Sequence, residues 1–153
     1  MIYLGNLLKG DLGMSFTYRQ PVMDVVLSVF PNTIVLTLVS LIAAYLFGTV
    51  LGVFMAWFRG RWFEKLAIPV VLTTRAAPEF WLGMILLALF AFGLGWFPSG
   101  GANSAGLRFD NEWQRFFSAD FLKHLVLPAL TLGIYLQGMP AMLMRSSMVD
   151  VMK

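Results

Sequence analysis

Residues 25–58 read VVLSVFPNTIVLTLVSLIAAYLFGTVLGVFMAWF, with no charge between Asp24 and Arg59. About 20 apolar residues, at about 1.5 Å rise each, cross the ~30 Å hydrocarbon core of a bilayer as a helix. Thr33 to Trp57 alone meets that length. A soluble core helix is not this long and apolar on every face. The stretch predicts a transmembrane helix over 33–57, entered through Pro31-Asn32-Thr33. Pro31 fits a first helical turn and Asn32 a cap. A kink within a longer helix is the alternative.

One face of this helix is small. Ser40, Ala44, Gly48, Gly52 and Ala56 recur every fourth residue and stack in one stripe. Lipid gives helices no hydrophobic reason to associate, so close backbone approach has to supply the packing. The stripe predicts a partner helix, either inside the same bundle or across a subunit interface.

The whole composition agrees with a membrane protein. Of 153 residues, 59% are hydrophobic and 12% charged, and the net charge is +3. That excess is too small for a nucleic-acid surface, and the basic residues matter as topology signals. There is no cysteine, hence no disulfide framework and no thiolate chemistry. His124 is the single histidine. A metal site needs several converging ligands, and none is signalled. The sequence lacks a Gly-x-x-x-x-Gly-Lys phosphate loop, a Gly-x-Ser-x-Gly and a His-Glu-x-x-His. No cofactor and no catalytic residue is expected, which disfavours an enzyme.

On the C-terminal side, Arg59, Arg61 and Lys65 cluster in the link 59–65. The positive-inside rule places that link in the cytoplasm, so the first helix runs from outside to inside. On the N-terminal side, residues 1–24 are punctuated by Gly5, Gly10 and Gly13 and predict an interfacial segment outside the hydrocarbon.

Leu66 to Phe97 is apolar but interrupted by Arg75, Pro78 and Glu79. One straight helix would be about 48 Å long, well beyond the core. Either the first part runs obliquely and residues 80–97 cross, or one tilted helix buries both ions. Ions inside a membrane are paired or functional. Arg75 and Glu79 are four apart and predict a pair if the stretch is helical, or else a lining of a solute path. Trp96 and Phe97 read as outer-interface anchors. The polar loop 98–124 has balanced charge and is expected outside, with a short amphipathic helix over 112–121.

The last apolar span, 125–144, reads LVLPALTLGIYLQGMPAMLM. Pro128, Gly133, Gly138 and Pro140 predict a bent or broken helix. Such breaks are tolerated where protein or a water-filled path satisfies the freed backbone groups. Ala129, Gly133, Gln137 and Ala141 form a second small stripe, in which Gln137 is either packing glue or part of a path. Thr131 and Tyr135 are further path candidates on this span. Helical character continues from Ser146 to Lys153. The fold class is therefore all-α, with about three transmembrane helices.

Several segments, in order, resemble one family. They are Gly10-Asp11-Leu12-Gly13-x-Ser15, Pro31-Asn32-Thr33, Pro78-x-Phe80-Trp81-Leu82-Gly83, Gly95-Trp96-Phe97-Pro98, His124-x-x-Leu127-Pro128-Ala129-Leu130-Thr131-Leu132 and Arg145-Ser146-Ser147-Met148. Their order and spacing are similar to the B-type inner-membrane permease subunits of dipeptide, oligopeptide and nickel ABC importers.

The resemblance implies a bacterial or archaeal cytoplasmic membrane and a path for short peptides or similar solutes. It implies a second permease, two ATPase subunits, an extracytoplasmic solute-binding protein and membrane lipids as partners. It also implies a further helix ahead of this segment and, after Arg145, a cytoplasmic coupling loop with two more helices. The expectation is a piece of that permease fold, truncated at both ends, that does not transport alone. Arg75 and Glu79 depart from the small or apolar residues expected beside Pro78. A membrane scaffold that binds helices through Gly48 and Gly52 is the competing expectation.

Overall fold

The computed structural model describes residues 2–8 and 10–152; Met1, Lys9 and Lys153 lie outside it. The fold is helical, in two compact units, residues 1–35 and 36–153.

The first unit opens with α1 (Ile2–Leu8) and a tightly bonded loop. The Asp11 carboxylate accepts from the Gly13 amide at 2.9 Å, and the Ser15 amide donates to the Gln20 carbonyl at 2.9 Å. Gly10 and Gly13 take φ of 82° and 75°, which a side chain would oppose. The unit closes on the first turns of α2 (Val22–Trp57). Here the structure differs from the expected helix start: α2 begins at Val22, and Pro31 lies inside it. Proline removes one ladder bond without ending a helix that its apolar surroundings hold together. At about 1.5 Å per residue, α2 is about 54 Å long, more than a hydrocarbon core requires.

The second unit packs the rest of α2 with α3 (Trp62–Ala76), α4 (Glu79–Leu86), α5 (Glu112–Phe116), α6 (Ala119–Leu136) and α7 (Gly138–Val151). Helix α3 begins inside the stretch read as a link, so the turn itself is confined to residues 58–61. Gly60 makes it at φ 77°. The small stripe of α2 is buried, with Ser40 and Ala56 at 0% exposure. Its remaining faces expose Leu38, Ile42, Leu46, Phe47 and Phe54, an outward apolar surface suited to lipid or further protein.

The stripe is used within the chain. Gly133 of α6 lies beside Ser40 and Ala43, and α7 crosses at Gly48 and Gly52. A Cβ on Gly52 would stand 2.5 Å from the Ala141 carbonyl oxygen. The Gly48–Gly52 part of the stripe therefore meets α7 of the same chain.

By length and composition, α2 and α6 can cross a membrane, and α3 with α4 adds a third span if that bent pair counts as one. The pair is bent by 105°. Beyond Leu86, α4 continues as a π-helix over Leu87–Gly93, shown by the Leu94 amide donating to the Leu89 carbonyl at 2.9 Å. The 112–121 helix is shorter than expected. The Ser118 hydroxyl caps a new helix by accepting from the Phe121 amide at 3.1 Å, which assigns Phe121 to the buried face of α6.

Candidate functional site

The site grows from the break between α3 and α4. Pro78 disfavours a helical conformation at Ala77, which is extended at φ −70°, ψ 142°. The chain leaves α3 there and restarts at Glu79, the acidic residue in the first turn of α4. Arg75 and Glu79 are therefore not on one helix, and they make no ion pair among the described residues. This corrects the paired reading: spacing of four aligns side chains only where the helix is continuous. The Arg75 stem lies instead against Gly138, where a Cβ would meet its Cδ at 2.6 Å.

From the break, α4 packs along α6. Gly83 lies against Thr131, where a Cβ on the glycine would meet the Thr131 Cγ2 at 3.4 Å. The two helices line an open groove of about 420 Å³. Glu79, Phe80, Gly83 and Leu87 form one wall, and His124, Leu127, Pro128 and Thr131 the facing one. Pro98 to Gly101 complete the lining. The walls repeat at three and four residues, as one face of each helix must.

The polar groups of the groove are few. Thr131 donates its hydroxyl to the Leu127 carbonyl at 2.8 Å. His124 Nδ1 lies 2.8 Å from the Asp120 carbonyl, so that nitrogen carries the proton in this contact. Among the described residues, Glu79 is the carboxylate in the lining, and no lysine or arginine joins it.

The other path candidates are elsewhere. Gln137 joins α6 to α7; its amide donates to the Gly133 carbonyl at 2.9 Å and its carbonyl accepts from Ala141 at 3.0 Å. It lines a smaller cavity of about 250 Å³ with Trp62, Phe63 and Val71. Arg75 and Tyr135 line neither cavity. The structure thus brings Glu79 and Thr131 together and leaves Arg75, Tyr135 and Gln137 apart from them.

A second polar centre, missed in the sequence, lies at the charged link. The Glu64 side chain is buried, accepts from the Gly60 amide at 2.6 Å and from Arg145 Nε at 2.7 Å, and also pairs with the Arg145 Nη2. Outside the apolar stretches, the Gly60 amide first and the Arg145 guanidinium second hold the Glu64 carboxyl below its ordinary 4.5, against the opposing effect of burial. The pair ties α3 to α7. Charge alone could have suggested it, as Glu64 is the acid among the basic residues of the link, but nothing local pointed to Arg145.

Among the described residues, no group of acids and histidines is arranged to hold a metal ion.

Comparison with known proteins gives a consistent result. Residues 48–153 match the family described as "Binding-protein-dependent transport system inner membrane component". Over 150 residues, 98% of this chain, the sequence is 37% identical to the glutathione transport system permease protein GsiC of Escherichia coli O6:H1. It is 38% identical over the same length to the protein of that name from Salmonella typhimurium. In both cases the chain spans 44% of the relative's length.

Proposed function

The chain belongs to the binding-protein-dependent transport system inner membrane component family, and on that premise we propose that it forms part of the solute path of an ATP-driven importer of short peptides. The link 59–65 faces the cytoplasm in this reading and the loop 98–124 the outside. A second permease completes the path, two ATPase subunits supply the energy, and an extracytoplasmic binding protein delivers the solute. ATP binding and hydrolysis on those other subunits alternate the access of the path. This chain contributes walls and contacts and no catalytic group.

The observation that carries the reading is the α3–α4 break. A bent, discontinuous helix pair with a carboxylate at the break is costly beside lipid and is accommodated where it lines a cavity. Here Glu79 stands at the break and lines the 420 Å³ groove. The relatives' named cargo, glutathione, is itself a short peptide and supports that solute class.

The test is uptake of labelled glutathione and labelled dialanine by cells from which the gene is deleted, then restored. Loss of either uptake on deletion, with recovery on restoration, supports the reading. Unchanged uptake of both contradicts it.

A further inference from the structure

Glu79 lines the α4–α6 groove as its carboxylate, and the groove is otherwise apolar apart from a serine, a threonine and one histidine. Among the described residues neither lysine nor arginine lines it, and Arg75 lies with its stem against Gly138 and makes no ion pair with Glu79. The Thr131 hydroxyl proton is committed to the Leu127 carbonyl. His124 directs Nδ1 to the Asp120 carbonyl at 2.8 Å, and the same nitrogen lies 3.7 Å from the Asp120 carboxylate. What the groove offers a solute is the Glu79 carboxylate beside apolar walls.

We propose that this groove is a binding subsite for the ammonium group of a small, mostly apolar solute, with Glu79 as its counter-ion. Charge complementarity selects that occupant. The exposed Glu79 carboxylate beside these apolar walls attracts a cation that also brings apolar surface. An anionic solute would meet Glu79 with no lysine or arginine among the described lining residues to offset it. A volume of about 420 Å³ lies within the range of small-molecule sites. The free amino terminus of an apolar dipeptide has the required chemistry. The inference rests on the importer reading, and its test is independent of transport.

The sequence has no cysteine, so single thiols can be placed without background from this chain. Thr131→Cys and Ser99→Cys each put one in the groove lining. Each variant, in membrane vesicles, is treated with one of two methanethiosulfonate reagents of similar size. One carries a trimethylammonium group and the other a sulfonate. The thiolate attacks the reagent's sulfenyl sulfur, a disulfide forms, and methanesulfinate leaves. Unreacted thiol is then counted on the purified protein.

The expected result at Thr131→Cys is a reaction at least about tenfold faster with the ammonium reagent, relative to the reagents' rates with a free thiol. Adding Glu79→Gln should remove that preference, and Glu79→Asp should retain most of it. Equal relative rates at Thr131→Cys, or a preference that survives Glu79→Gln, overturn the proposal. So does a Thr131→Cys thiol unreactive to both reagents while Ser99→Cys reacts, because the groove is then filled by protein or lipid. If the charge preference holds but the uptake assays are negative, the importer reading fails and the cation site stands.

Discussion

Gly48 of α2 sits against Pro140 of α7 so closely that a Cβ on the glycine would stand 2.7 Å from the Pro140 Cγ. The same Cβ would be 2.6 Å from the Gln137 carbonyl oxygen. Backbone cannot yield as a flexible side chain can, so the helices would have to separate. Gly48→Ala and Gly52→Ala are each expected to destabilise the protein by about 1–3 kcal/mol, as overpacking does. Ser40→Ala, which loses only a hydroxyl bonded to the Leu36 carbonyl of its own helix, should cost less. Thermal unfolding in detergent measures the difference.

The Glu64–Arg145 pair makes a second prediction. Arg145→Met leaves the buried Glu64 carboxylate without its guanidinium, at a cost of about 1–3 kcal/mol for an ion pair that stays partly wet. Exchanging the two residues should not restore stability. An arginine at position 64 offers the Gly60 amide no acceptor, whereas the carboxylate does. Recovery to the wild-type unfolding temperature in the exchanged protein would contradict this geometry.

The same carboxylate sets a pH dependence. Its folded-state pKa lies below the ordinary 4.5. A group depressed on folding contributes stability above its unfolded pKa and loses it as pH falls through the folded value. The unfolding temperature of the wild type should therefore fall below pH 4.5 more steeply than that of Glu64→Gln. Parallel profiles would remove Glu64 as the cause.

Packing of α4 on α6 is testable without transport. In this cysteine-free sequence, Gly83→Cys combined with Thr131→Cys should form a disulfide on mild oxidation, since the positions are in side-chain contact. Phe92→Cys with Thr131→Cys should not, because Phe92 is exposed and lies outside the groove. Gel mobility after proteolysis between the two helices reads the outcome.

What the sequence conveys follows the range of each signal. The apolar length of α2 and the four-residue spacing of its small stripe are properties of one helix, so both can be read locally. Pro78 signals the α3–α4 break in the same way. The expected Arg75–Glu79 pair fails because the break removes the helical geometry that their spacing assumed. The groove was half visible: Phe80, Gly83 and Leu87, and His124, Leu127 and Thr131, each repeat as one helix face. Which two faces meet is set by tertiary packing. The link between Glu64 and Arg145 spans 81 positions and has no local signature. The π-helix over Leu87–Gly93 is likewise silent in a uniformly apolar run.

The most direct test fills the groove. Thr131→Trp places an indole in the space that Glu79, Gly83 and Leu87 line. Uptake of a labelled dipeptide should fall at least about tenfold, while membrane insertion and co-purification with the other transporter subunits stay at wild-type levels. Wild-type uptake by a correctly inserted and assembled Thr131→Trp protein would place the solute path away from the α4–α6 groove and contradict the account.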